Sequence, residues 1–192
     1  VPDFSVIADV SETLRTVLTD GFTVLGGAQP PIAVLHDLAP GQIATNPPRL
    51  TLFLFEVTED ATLRNRHPLQ GLVPPSLSLQ KPPMALLLRY LMTPWSGDRV
   101  TDQRILGRTL QILYDDAIIN GPQLQGGLAG TNQALKLKLT PIDLDDRARV
   151  WFSVQRPYRL SLIYEVRVVN LESVEQETRP PVSTRQLDPV SP

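Results

Sequence analysis

The spacing of apolar residues changes along this chain from three or four residues to two, so the fold must combine amphipathic helices with strands. Between Ser5 and Asp20, Val6, Ile7, Val10, Leu14, Val17 and Leu18 recur at the three- and four-residue spacing that lines one helical face. From Ala134 onward Leu135, Leu137 and Leu139 alternate with Lys136 and Lys138, the two-residue period of a strand with one face in the core and one facing water or a partner. Tyr158 to Val169 alternates again, with Leu160, Leu162, Tyr164, Val166 and Val168 on one side.

Punctuation places the remaining elements. Ser5 is predicted to cap the first helix and Gly21 to end it in the left-handed conformation. Ile32 to Leu35 reads as a short strand. Leu50 to Val57, apolar on both faces, reads as a central one. Met84 to Met92 is a further buried strand, stopped by Pro94. A second helix, capped by Ser96 or Asp98 and running to about Asp115, carries Val100, Leu106, Leu110 and Leu113 inward, with Gly107 permitting close packing. Gly121 to Gly130 is turn-rich. A third helix after Pro141 has Asp143 and Asp146 as a capping-box pair, buries Leu144, Ala148, Trp151 and Phe152, and ends at Pro157. The order predicts an α/β single domain, a mixed sheet packed with about three helices, over residues 1–173. Residues 174–192 are expected to be a flexible tail, or one ordered only against a partner. Residues 58–83, with Pro68, Pro74, Pro75, Pro82 and Pro83, are expected to form a long loop or a hairpin arm.

Composition narrows the function classes. The absence of cysteine removes disulfides, thiolate metal sites and thiol nucleophiles. Its two histidines, His36 and His67, form no ligand cluster with nearby acids; His36 with Asp37 reads as a turn pair after a strand. No nucleophile elbow surrounds any serine, and the Gly126, Gly127 and Gly130 cluster lacks the lysine of a phosphate loop. Asp145 with Asp146 falls at a helix start, where the dipole favours anions, and Asp115 with Asp116 reads as surface. No catalytic, cofactor or metal residues are therefore expected. No apolar run approaches the roughly 20 residues of a membrane span, and the first residues lack the pattern of a signal peptide, so a soluble chain not exported by the usual signals is expected. The formal charge of -2 argues against a general nucleic-acid binder.

The charge is unevenly placed. Residues 1–60 hold eight acids against Arg15 and Arg49, whereas 61–97 hold Arg64, Arg66, Lys81 and Arg89 and no acid. The acid-free middle is either a docking surface, for an acidic partner or the acidic part of an identical subunit, or a solvated loop. Arg64, Asn65 and Arg66 offer forked donors suited to carboxylates and carbonyls, or they hold the loop onto its own sheet. With His67, Lys81 and Trp95 they are the candidate partner-interface residues. Trp95 and Trp151 are core or interface aromatics rather than ligand platforms.

Several segments, in order, resemble one family: Ile7 to Arg15, Pro48 to Phe55 running into Glu59 and Asp60, Arg64 to Arg66, Leu88 to Pro94, Ile105 to Arg108, the region from Tyr114, Pro157 to Ser161, and Tyr164 to Val168. It is the tail-terminator or cap family of extracellular contractile injection systems, phage-tail-like particles of the antifeeding-prophage type. The resemblance covers about residues 5–173. It implies a phage tail-terminator-like fold and a structural, non-enzymatic protein that forms a hexameric ring on the inner tube protein, contacts the sheath protein and stops both from growing. It also implies assembly in the bacterial cytoplasm and incorporation into a particle that is released. The alternative is an adaptor that binds cargo or a baseplate component through the same loop.

Overall fold

The computed structural model describes residues 4–26, 29–63, 69–73, 76–172 and 176–179. Helix α1, Val6–Phe22, turns Val6, Val10, Leu14, Leu18 and Phe22 fully inward. Ser5 does not cap its backbone. Its hydroxyl donates to Asp9 (2.6 Å), and the Asp9 carboxylate accepts the N–H of Gly127 (3.1 Å). Thr13 Oγ1 accepts the N–H of Gln125 (3.0 Å), so the predicted turns at 121–130 are strapped along the helix. Gly21 does not end α1 either; the left-handed glycine is Gly26 (φ 65°). Gly21 is where α1 meets the second long helix, because a β-carbon there would lie 2.5 Å from Ile112 Cδ1. Gly107, expected at a close contact, faces open space.

After α1 the chain forms β1 (Ile32–Leu35), β2 (Arg49–Glu59), β3 (Leu69–Val73), β4 (Ser76–Gln80), β5 (Met84–Trp95), α2 (Arg99–Asp115), β6 (Ile118–Asn120), β7 (Ala134–Leu139), α3 (Leu144–Ser153), β8 (Leu162–Leu171) and β9 (Gln176–Arg179). Six strands make one mixed sheet in the order β1-β2-β5-β8-β7-β6, parallel only between β1 and β2. Three make a second, antiparallel sheet, β3-β4-β9. The stretch 58–83 thus contains a hairpin. Residues 176–179, within the expected tail, pair with β4 across Leu77–Gln80. A polar strand of this kind has no apolar alternation to reveal it; its partner's backbone supplies the order.

The β2 and β5 runs are apolar on both faces because helices cover both sides of the large sheet. Leu50, Leu52, Leu88, Tyr90, Met92, Leu137 and Val166 join α1 and α2 in the main core, while Leu91 and Ile163 turn the other way, toward Trp151 of α3. β5 continues past the predicted stop, carrying Pro94 opposite Leu50. β8 pairs no further along β5 than Met92, so at Pro94 the strand has a neighbour on one side only and tolerates a residue without N–H. Likewise β8 begins at Leu162, not Tyr158, because 156–161 have no regular secondary structure. Asp98 caps α2 as predicted, accepting the Thr101 N–H (2.8 Å). The inner face of α2 is Ile105, Leu106, Thr109, Ile112 and Leu113; Val100, in the first turn, is exposed.

Tyr90 carries a fully buried hydroxyl into this core. Its hydroxyl shares a 2.8 Å hydrogen bond with Ser11 of α1, and burial pushes its ionisation up to about 12 although the Ser11 bond works the other way. An unfolded tyrosine ionises near 10, so the folded state retains a proton that the unfolded state releases. Stability from this group is complete below about pH 10 and is lost as pH rises toward 12. Tyr90→Phe should cost about 1 kcal/mol at neutral pH and flatten the alkaline limb of a pH-stability curve measured by urea unfolding. An unchanged alkaline slope would refute this.

Candidate partner interface

Arg64, Asn65, Arg66 and His67 lie outside the described residues, between the end of β2 and the start of β3. The two remaining candidates are far apart. Lys81 is exposed just after β4, ahead of β5, whereas Trp95 closes the opposite end of β5. At ~3.3 Å per residue the strand alone separates them by about 36 Å. The structure therefore does not bring Lys81 and Trp95 into one site.

Trp95 is the centre of an internal clasp. Its indole N–H donates to Thr51 Oγ1 of β2 (3.0 Å), and two guanidinium groups cover its ring, Arg159 at 4.3 Å and Arg156 at 5.6 Å from the centroid. Arg159 also donates to the Pro94 carbonyl (2.9 Å) and pairs with Asp102 of α2 (2.5 Å). Arg156 donates to the carbonyls of Leu38 (2.8 Å), Ala39 and Gly41 (2.8 Å). Those bonds hold the 38–41 loop in a shape where the fully buried Leu38 has a left-handed φ of 57°. Arg156 and Arg159 sit more than sixty positions from Trp95, and no local pattern in the sequence signals their convergence.

The uneven charge is partly neutralised inside the chain. Arg89, from the acid-free segment, pairs with Glu56 (2.7 Å) of the acidic one across β2 and β5 and with Glu165 (3.3 Å) of β8; Arg167 also pairs with Glu165. Burial works against the Arg89 cation, but hydrogen bonds and charge from Glu56 and Glu165 outweigh it and hold the guanidinium above its ordinary pKa. Arg89 is thus structural.

α3 reverses the expected stripe. Trp151 alone is buried, its indole N–H directed at Ser161 Oγ (3.4 Å), while Leu144 (65% exposed), Ala148 and Phe152 (85% exposed) line the outer surface at four-residue spacing. The four-residue pattern was legible but not its direction. Asp143 makes no side-chain cap, and Asp145 and Asp146 lie in the first turn. His36 Nδ1 accepts the Leu38 N–H (2.8 Å), the turn role expected of it. Among the described residues no group of three or more His, Cys, Asp or Glu is placed to hold a metal, and no helix is long and apolar enough to cross a membrane.

A sequence profile of the Pvc16 N-terminal domain matches residues 9–185, beyond β9 and nearly the whole chain. The chain belongs to the Pvc16 N-terminal domain family. Its fold is similar to that of a sheath/tube terminator of an extracellular contractile injection system, PVC, in the extended state, with TM-score 0.63 and 21% identity over 96% of this chain. It is also similar to the tube-terminating cap of the anti-feeding prophage, with TM-score 0.61 and 20% identity over 93% of this chain. The Pvc16 N-terminal domain seen here spans 65% and 63% of those two chains, respectively. No curated protein matches the sequence. The α/β architecture, a six-stranded mixed sheet packed with helices, is therefore similar to that of solved terminator caps.

Proposed function

We propose that this chain is a structural cap that terminates the inner tube and sheath of a contractile injection system. The observation that carries the reading is the match of nearly the whole chain to the Pvc16 N-terminal domain, joined to a fold shared with two terminators. In this reading six copies form a ring by head-to-tail contacts, each subunit burying part of the growing end and offering no surface to which a further tube or sheath subunit adds. The mechanism is steric and makes or breaks no covalent bond. Assembly takes place in the cytoplasm and the cap remains in the particle. Arg89 of the acid-free segment is engaged internally; Arg64, Arg66 and Lys81 are the bases this reading assigns to a neighbouring subunit or the tube.

Particles assembled without this protein should show an uncontrolled length distribution by electron microscopy. Normal lengths would refute termination, and normal lengths with lost cargo would favour the adaptor. Charge reversal of the arm, Arg64→Glu with Arg66→Glu, should lower the ring fraction in native mass measurement and broaden particle length. If both stay as in the unmodified protein, the arm has no part in capping.

A further inference from the structure

β7 is only half covered on its outer side. β6 pairs with Ala134, Leu135 and Lys136, and the last bond on that side runs from the Leu137 N–H to the Ala117 carbonyl (2.9 Å). The Thr140 N–H donates to Ile163 of β8 (2.9 Å), so the alternation of an antiparallel ladder turns the N–H and C=O of Leu139 away from β8. Among the described residues nothing bonds them. On one face of this open edge Leu139 (47% exposed) and Tyr114 (83% exposed) form an apolar groove with Leu110, Ala117 and Tyr164. On the other face Lys136 and Lys138 are exposed. Their cross-strand neighbours are Arg167 and Glu165, and Glu165 is already held by Arg89 and Arg167. No ion pair engages either lysine among the described residues.

We propose that the outer edge of β7 at Leu137–Leu139 receives an extended segment of another protein whose residues alternate between apolar and acidic. Backbone bonds to Leu139 give such a segment its register. Alternate side chains then fall into the apolar groove or onto the two lysines. The chain's own strand edges lack the apolar and acidic alternation that suits this edge. β1, the opposite edge of the sheet, has no acid in Ile32–Leu35, and its Ala33 N–H is already bonded to Thr19 Oγ1 (3.1 Å). β9, Gln176–Arg179, carries one acid against one base. The inference does not rest on the capping role.

The test uses two blocked synthetic hexapeptides, Glu-Ile repeated three times and Lys-Ile repeated three times, with the full chain. Backbone-amide NMR should show the acidic peptide moving the Leu137 and Leu139 resonances and binding at least about tenfold more tightly than the basic one. Leu139→Pro removes the outward N–H without touching the ladder to β8 and should weaken binding by about tenfold, whereas Leu139→Ala, which keeps that N–H and loses only the leucine's share of the groove, should weaken it clearly less than Leu139→Pro. Lys136→Glu with Lys138→Glu should transfer the preference to the basic peptide, and decides the matter if Leu139→Pro does not fold. Equal binding of the two peptides, or unaltered binding by a folded Leu139→Pro, overturns the proposal. So does a concentration-dependent oligomer of the unmodified chain that Leu139→Pro abolishes, since the edge then belongs to a second copy.

Discussion

Trp151→Ala should lower the unfolding free energy by about 3 to 5 kcal/mol, the range for deleting a fully buried tryptophan. Trp151 is 1% exposed and fills the smaller core with Leu38, Ile43, Leu91 and Ile163, against Phe53, Phe55 and Trp95. It is the one buried residue of α3, because Leu144 and Phe152 point outward. The loss should therefore be felt first in that helix. Hydrogen exchange should show α3 amides opening at much lower free energy while those of α1 keep their protection. A change in stability below about 1 kcal/mol would mean that the loops around 38–43 and 141 hold α3 instead.

Arg89→Met should cost about 2 to 4 kcal/mol at neutral pH. Glu165, 3% exposed, keeps only Arg167 after the substitution, and Glu56 loses its hydrogen-bonded cation. The cost comes from the buried carboxylate that remains rather than from the lost attraction. The double variant Arg89→Met with Glu165→Met should accordingly recover most of the stability, since an apolar pair of similar volume carries no desolvation penalty. Urea unfolding of the two single variants and the double variant closes this cycle. If the double variant is as unstable as the sum of the singles, the two side chains act independently and the account is wrong.

The features in which the structure departs from the local sequence pattern have a common physical origin. Gly21 and Gly107 are both helical glycines, yet only Gly21 lies at a helix crossing, and nothing in the neighbouring residues distinguishes them. The apolar residues of α3 have the period of a buried face, but two of the largest point away from the sheet. Periodicity shows that a face exists; which side is covered depends on elements distant in the chain. The same holds for the interface candidates. Trp95 reads in the sequence as a core or interface aromatic, but its engagement by Thr51, Arg156 and Arg159 requires β2, β5 and the 156–161 segment to lie side by side.

Local chemistry alone determined the three helices and strands β1, β2, β5, β7 and β8, the Asp98 cap, the turn-rich 121–130 segment and the elimination of thiol chemistry, because each depends on residues within a few positions of one another. Tertiary structure decided the pairing of 176–179 with β4, the absorption of Arg89 into an internal ion-pair network and the half-open edge of β7. Those depend on strand order and length, which are set when segments separated by tens of residues compete to bury the same apolar surface and satisfy the same backbone groups.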